Sequence, residues 1–187
     1  MPHDVCHWRY AYLFDNPIRR LFHNPAKMLG AYIKNGMAVL DVGCGMGFFS
    51  IGMARLVGSE GKVHSVDLQQ EMLDVLRKRA TRKGVAGRIS THRCTEDAIG
   101  VTSNVDFILA FWMVHEVPNQ LTLLTQLRSI ASSECRLLLA EPKMHVTTSD
   151  LGTTIDLARD AGWHHVSEPA VRLSISALFT TGNAASP

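Results

Sequence analysis

From residue 37 onward the chain alternates short apolar runs with longer stretches in which apolar residues recur every three or four positions. "MAVLDVG" (37–43) has strand length and reads as a buried strand. "FFSIGMARLVG" follows, with Phe49, Met53, Ala54 and Leu56 at helical spacing and Gly58 as a stop. "GKVHSVDL" predicts a second strand. "QQEMLDVLRKRATRKG" predicts a helix with Met72, Leu73, Leu76 and Ala80 on one face, ended by Gly84. "GRISTHRC" and "VDFILAFW" predict a third and a fourth strand. The helical pattern "NQLTLLTQLRSIA" leads to a fifth strand, "CRLLLAEP", and "TSDLGTTIDLARDAG" predicts a further helix. Two strand-like runs, near "HHVSEPAV" and "RLSISALFT", close the series with no helix between them, as an antiparallel hairpin would require.

The repeated β-α-β-α rhythm predicts an α/β domain with a mainly parallel sheet. Residues 1–35 fall outside that rhythm. "NPIRRLFHNPAKMLGAYIKNG" contains two short helical patterns, each preceded by Asn-Pro, with Pro17 and Pro25 suited to first turns and Asn16 and Asn24 to caps. This segment is expected to form a helical flap over one end of the sheet. The domain proper is expected over 36–181, and 182–187 as a frayed tail.

A chain of 187 residues fits one domain with one core, and 46% hydrophobic with 19% charged residues is a globular composition. No apolar run reaches membrane-spanning length, and "MPHDVCHWRYAYLF" lacks the layout of a signal peptide, so a cytoplasmic protein is expected. A net charge of +2 is too small to point to nucleic acid or an anionic membrane. The densest basic run, "RKRATRK", falls on the outer face of a predicted helix. Cys6, Cys44, Cys94 and Cys135 are scattered without a CxxC pair, which argues against a disulfide framework or a four-cysteine zinc site. His164 and His165 are adjacent on a predicted strand and face opposite sides, so no metal site is expected there.

Chemistry concentrates at the end of the first strand. In an open parallel sheet ligands bind beyond the carboxyl ends of the strands, where strand order reverses, which makes the first strand-to-helix turn a ligand turn. Gly43, Gly45 and Gly47 sit on that turn and let a ligand approach the backbone. A dinucleotide fingerprint needs G-x-G-x-x-G, but residue 48 is Phe and the spacing is G-x-G-x-G. Asp41 ends a hydrophobic strand, where a buried carboxylate needs donors from the turn or a cation from a ligand. Asp67 ends the second strand, where an acidic residue accepts hydrogen bonds from ribose hydroxyls, and Leu68 beside it can pack on a base. The pattern implies a ribose without a pyrophosphate.

"VLDVGCGMGFFS" followed by "VHSVDLQ" resembles the class I S-adenosylmethionine-dependent methyltransferases, most closely the small-molecule branch that includes the ubiquinone and menaquinone biosynthesis enzymes. The resemblance runs from about Gly36 to Phe179. "VDFILAFWMVHEVPN" matches the fourth-strand region, "CRLLLAEP" the fifth strand, and "LARDAGW" the helix before the terminal hairpin. It implies a Rossmann-like α/β domain: a seven-stranded, mostly parallel sheet with a C-terminal antiparallel hairpin and helices on both faces. It implies S-adenosyl-L-methionine as cofactor, with Asp41 and the turn carrying Gly43, Cys44, Gly45 and Gly47 at its methionine end. Asp67 would take the ribose hydroxyls and Leu68 would flank the adenine. Family members often carry Gly-Asp in the loop after the third strand. Here Cys94-Thr95 stand there, followed by Glu96 and Asp97 as candidates for the adenine edge. Phe111 stands where the family's backbone faces the methionine moiety.

The acceptor is expected beyond the fourth and fifth strands, beside "FWMVHEVPN" and "EPKMHV". His115, which titrates near neutrality, is the first candidate base. Glu116 is a candidate to orient it or to act alone, and Glu141 at the end of the fifth strand is a third candidate. Lys143 and His145 read as surface residues. The signature of amino methylation on nucleic acid bases or glutamine, Asn/Asp-Pro-Pro-Tyr/Phe, is absent from this region. With little insertion between strands, a small and partly apolar acceptor is expected, and neither a membrane nor nucleic acid as partner. The oligomeric state is left open. Cys6, His7 and the aromatic residues around them are candidates for a lid. The rival readings are a nucleic-acid methyltransferase dependent on a partner and a catalytically silent cofactor-binding protein.

Overall fold

The structure, a computed structural model, describes residues 22–182. Seven strands form one sheet in the order β3-β2-β1-β4-β5-β7-β6. In chain order they are β1 (Ala38–Val42), β2 (Lys62–Asp67), β3 (Ile89–Arg93), β4 (Val105–Phe111), β5 (Ala131–Pro142), β6 (His164–Ser167) and β7 (Ser174–Thr180). The helices are α1 (Pro25–Leu29), α2 (Phe48–Leu56), α3 (Gln70–Arg82), α4 (Gln120–Ser129) and α5 (Thr148–Asp160). Strands β1 to β5 pair in parallel, and β7 runs antiparallel to both β5 and β6. The expected parallel sheet with a terminal hairpin is therefore what forms.

Side-chain alternation explains the layers. Val39, Phe107, Leu109 and Leu138 pack with Leu29 of α1, Phe49 and Met53 of α2 and Ala80 of α3. Their neighbours Leu40, Ile108, Leu137 and Leu139 pack with Leu124 of α4 and Ile155 of α5. Strands apolar at successive positions are thus buried on both faces, as parallel strands between helical layers must be. Met72, Leu73, Leu76 and Ala80 are the buried face of α3, as their spacing predicts.

Three local features depart from the sequence pattern. Strand β5 begins at Ala131 rather than near Cys135, because Ala131 pairs with Val105 before a register shift, and the polar residues around that irregularity hide the strand period. The run "HHVSEPAV" is strand only as far as Ser167, since Pro169 lies just beyond. The second Asn-Pro helix forms as expected: Pro25 is in the first turn and the Asn24 side chain accepts from the Ala26 and Lys27 N–H groups. The segment around it packs on the sheet: Leu29 and Ile33 are buried in the core and Tyr32 stacks on Phe107 at 5.8 Å. The first Asn-Pro segment, Cys6, His7 and the residues after Gly182 lie outside the described residues. No helix among the described residues is long and apolar enough to cross a membrane.

Trp163, just past α5, is the largest fully buried side chain among the described residues, and its indole N–H donates to the Leu124 carbonyl at 3.0 Å. It locks α5 against α4. Trp163→Ala is expected to cost about 3–5 kcal/mol in urea denaturation, from the cavity it leaves.

Candidate active site

Strand order reverses between β1 and β4, and a cavity of about 950 Å³ opens there at the carboxyl ends of the strands. That volume is at the upper end of small-molecule sites. Three strands carry an acid at or next to this end: Asp41 in β1, Asp67 in β2 and Glu141 in β5. All three are buried, so each needs donors.

Asp41 receives the Ser50 hydroxyl from the first turn of α2 at 2.5 Å, and Ser50 in turn accepts from Ser65 at 2.9 Å. Ser65 stands opposite Asp41 on β2, so the sheet register builds this relay. Asp67 accepts the Gly45 N–H on one oxygen and the Gln69 N–H on the other, each at 2.9 Å. Burial pushes its carboxyl above the usual range, and the N–H groups of Gln69, Gly45 and Leu68 oppose that rise.

The glycines of the turn do different work. Gly45 and Gly47 both have positive φ, 51° and 84°. A Cβ on Gly47 would stand 2.1 Å from Leu76 Cδ1, so this glycine lets α3 close on the start of α2. A Cβ on Gly45 would meet nothing within 4 Å, because that position opens into the cavity. Phe48, where a dinucleotide site has glycine, also lines the cavity.

Ten of the twelve residues expected at the cofactor line this cavity; Gly47 and the exposed Asp97 do not. Cys44 is a buried filler beside Leu73 and Leu76, and burial holds its thiol well above the usual range. The Cys94 thiol is pushed up to about 11 by burial, next to Asp67. Both are therefore neutral wall at physiological pH. Of the loop after β3, Cys94, Thr95 and Glu96 face the cavity, while the Asp97 carbonyl accepts from Gln126 Nε2 of α4. Gln126 also accepts the Ile99 N–H at 2.9 Å and so pins this loop. Nothing local in the sequence marks Gln126, Ser50 or Ser65 for these contacts.

On the opposite side, His115 follows β4 in a short 3-10 turn, Val114–Glu116. Its Nδ1 lies 2.5 Å from Glu141 Oε2, and Glu141 Oε1 accepts the Val114 N–H at 2.8 Å. Glu141 is only 2% exposed and sits behind the histidine, which lines the cavity. The structure thus sets Glu141, rather than the adjacent Glu116, against His115. The hydrogen bond to Glu141 raises the imidazole pKa, as do the Glu141 and Glu116 charges, and burial opposes them. The His145 ring lies parallel to His115 at 6.1 Å. Lys143 and His145 are exposed, as expected, yet both reach the cavity rim. Among the described residues, no three His, Cys, Asp or Glu side chains gather as a metal site.

Trp112 and Leu173 are the two non-glycine residues among those described with positive φ, at 57° and 60°. Such backbone costs about 1–3 kcal/mol and is kept where surrounding contacts demand it. Both line the cavity. Trp112 is held by its indole N–H, which donates to Ser174 Oγ at 2.8 Å, and by stacking on Phe111.

Comparison with known proteins agrees with this geometry. Residues 33–169 match the methyltransferase domain family. The chain is 29% identical over 131 residues, 70% of its length, to the ribosomal protein L11 methyltransferase of Dictyoglomus thermophilum. It is 32% identical over 110 residues, 58% of its length, to the ubiquinone/menaquinone biosynthesis C-methyltransferase UbiE of Cellvibrio japonicus. It spans 38% and 44% of the lengths of these curated relatives. A crystal structure of a SAM dependent methyltransferase from Aquifex aeolicus superposes with a TM-score of 0.83 at 25% identity, over 94% of this chain and 98% of that one.

The two glycines should separate by experiment. Gly47→Ala is expected to lower stability by about 1–3 kcal/mol beyond the cost of its φ, through overpacking on Leu76. Gly45→Ala should show the φ cost alone, about 1–2 kcal/mol. Urea denaturation of the two variants measures the difference.

Proposed function

The chain belongs to the methyltransferase domain family, among the class I S-adenosylmethionine-dependent methyltransferases, and on that premise we propose that it methylates a small, partly apolar molecule. One observation supports this above others: a single cavity is bounded by the Gly45–Asp67 turn on one side and the His115–Glu141 pair on the other. Cofactor and acceptor would therefore meet in one cavity.

The residues present fit a nucleoside. Asp67 is fixed by two backbone N–H groups with its carboxylate on the cavity wall, where ribose hydroxyls would donate to it. Gly45 leaves the wall open beside it. Asp41, oriented by Ser50, faces the methionine end, and Leu68 with the Cys94–Glu96 loop frames the adenine. When bound, S-adenosylmethionine supplies a methyl group on a sulfonium. The chain contributes position and exclusion of water. His115 accepts a proton at Nε2 where the acceptor must lose one, since Nδ1 is committed to Glu141.

The wall carries Asp41, Asp67, Glu96 and Glu116 against Lys143. That surplus of carboxylates disfavours a polyanion such as nucleic acid and suits a neutral acceptor beside a cationic cofactor. The cavity volume leaves room for an acceptor, which a silent cofactor-binding protein would not need.

Isothermal calorimetry is expected to show micromolar binding of S-adenosylhomocysteine, weakened by about 1.5–3 kcal/mol in Asp67→Ala; no binding to the wild type would reject the function. A second check is pH dependence. His115 works as a base only when neutral, and its pKa is raised, chiefly by Glu141 with Glu116 adding to it and His145 alongside. Turnover should therefore rise with pH through that pKa. In Glu141→Gln the limb should move to lower pH; an unmoved limb would remove the pair from proton transfer.

A further inference from the structure

The geometry points to an aromatic hydroxyl compound as the acceptor, seated against Trp112 with its hydroxyl at His115 Nε2 and methylated on oxygen. This rests on the reading of the chain as a methyltransferase of small molecules. Two independent features of the wall carry it.

The first is the His115–Glu141 pair. Glu141 is buried with both oxygens engaged, one by Val114 N–H and one by His115 Nδ1. It therefore acts through the imidazole and holds a tautomer with the lone pair on Nε2. A site built this way serves an acceptor that is still protonated near neutral pH and becomes nucleophilic on losing that proton. Thiols, with ordinary pKa about 8.5, need little such help, whereas phenols at about 10 need it. An ammonium is as weak an acid as a phenol. As a cation it would be drawn to Asp41, Asp67, Glu96 and Glu116 and compete there with the sulfonium cofactor, and Glu141 is already engaged, whereas a neutral hydroxyl meets neither difficulty. Carboxylate acceptors would meet the four acids of the wall.

The second feature is the aromatic shelf at the tip of β4. Trp112 adopts φ 57°, stacks on Phe111 at 5.1 Å and 25°, and lies T-shaped to the His23 ring at 5.2 Å. His23 is itself tied to the Arg172 carbonyl at 2.8 Å. Leu173, at φ 60° and 53% exposed, and Met144, at 93%, line the same mouth. Large apolar groups left exposed around one opening mark a surface for an apolar ligand. Strained backbone that keeps an indole there is a fixed platform for a flat ring.

The step balances without further reagents. The hydroxyl proton passes to His115 Nε2, the O–CH3 bond forms as the S–CH3 bond of the cofactor breaks, and the thioether leaves with the bonding pair. The imidazolium then loses its proton to solvent. Trp112 is a specificity-determining residue and Glu141 a positioning residue in this step.

The test uses the full chain and four probes sharing one ring: 4-methylphenol, 4-nitrophenol, 4-methylthiophenol and 4-methylbenzylamine. Binding to the S-adenosylhomocysteine complex is read by calorimetry, and products with labelled S-adenosylmethionine by mass spectrometry and NMR. Both phenols are expected to bind and yield O-methyl ethers, with the thiol and amine inert. Trp112→Ala should weaken phenol binding about tenfold while S-adenosylhomocysteine binds as before. His115→Gln should slow 4-methylphenol about 100-fold or more, the scale of a lost general base. It should slow 4-nitrophenol, a stronger acid whose proton leaves with less help, much less. Equal slowing of both phenols, methyl transfer to sulfur, nitrogen or ring carbon, or no phenol binding to the cofactor complex would each overturn the proposal. Failure to bind S-adenosylhomocysteine would instead bring down the underlying function.

Discussion

Everything at this site depends on the reversal of strand order between β1 and β4. The crossovers from β1 and β2 lay α2 and α3 on one face of the sheet, and α4 and α5 lie on the other. At the boundary the turns after neighbouring strands diverge, and their divergence is the cavity. The parallel sheet then brings several strands to the same rim. Acids at the ends of β1 and β2 face one space, and the acid at the end of β5 stands behind His115 at the same space, although they lie far apart in the chain. Each is stripped of water, and each is held by donors from the same rim: the Ser50 hydroxyl, the Gly45 and Gln69 amides, and the Val114 amide with His115. Their donors are thus part of the fold, and the acids are hydrogen-bonded before any ligand arrives.

The half of the site proposed for the cofactor was legible because it is local. Asp41, the glycine turn and Asp67 lie within two strand ends and one turn, so spacing alone brought them together. Even there, spacing did not distinguish Gly45, which opens to the cavity, from Gly47, which packs on Leu76; that difference depends on where α3 lies. The strand series was legible for the same reason, apart from the start of β5, where a register shift breaks the period that sequence reading relies on.

The half proposed for the acceptor is non-local and was read less well. His115 and Glu141 were both candidates, but nothing in the sequence pairs residues 26 positions apart. Their meeting follows from the β4–β5 register, which sets Phe111 beside Ala140 and so brings the turn after β4 over the next residue of β5. Glu116 was the natural partner by adjacency, yet neighbours in a tight turn point apart. Trp112 and Leu173 left no trace as candidates, because a positive φ on a bulky residue is forced by contacts between β4 and β7 and by no local propensity.

The acid-rich wall would at first sight oppose the reaction. Carboxylates that attract a sulfonium favour the state before transfer, and binding energy spent there does not lower the barrier. The His115–Glu141 pair would resolve this for an acceptor that sheds a proton. As positive charge disappeared from sulfur, an equal charge would appear on the imidazole, where Glu141 and Glu116 already favour it. The net charge within the wall would then be the same before and after transfer, moved only from the proposed cofactor side of the cavity to the acceptor side. Carboxylates on both sides serve the two ends of that movement, Asp41 and Asp67 at one and Glu116 and Glu141 at the other. An acceptor that brought no proton would forgo this compensation, and for it the same wall would be a handicap.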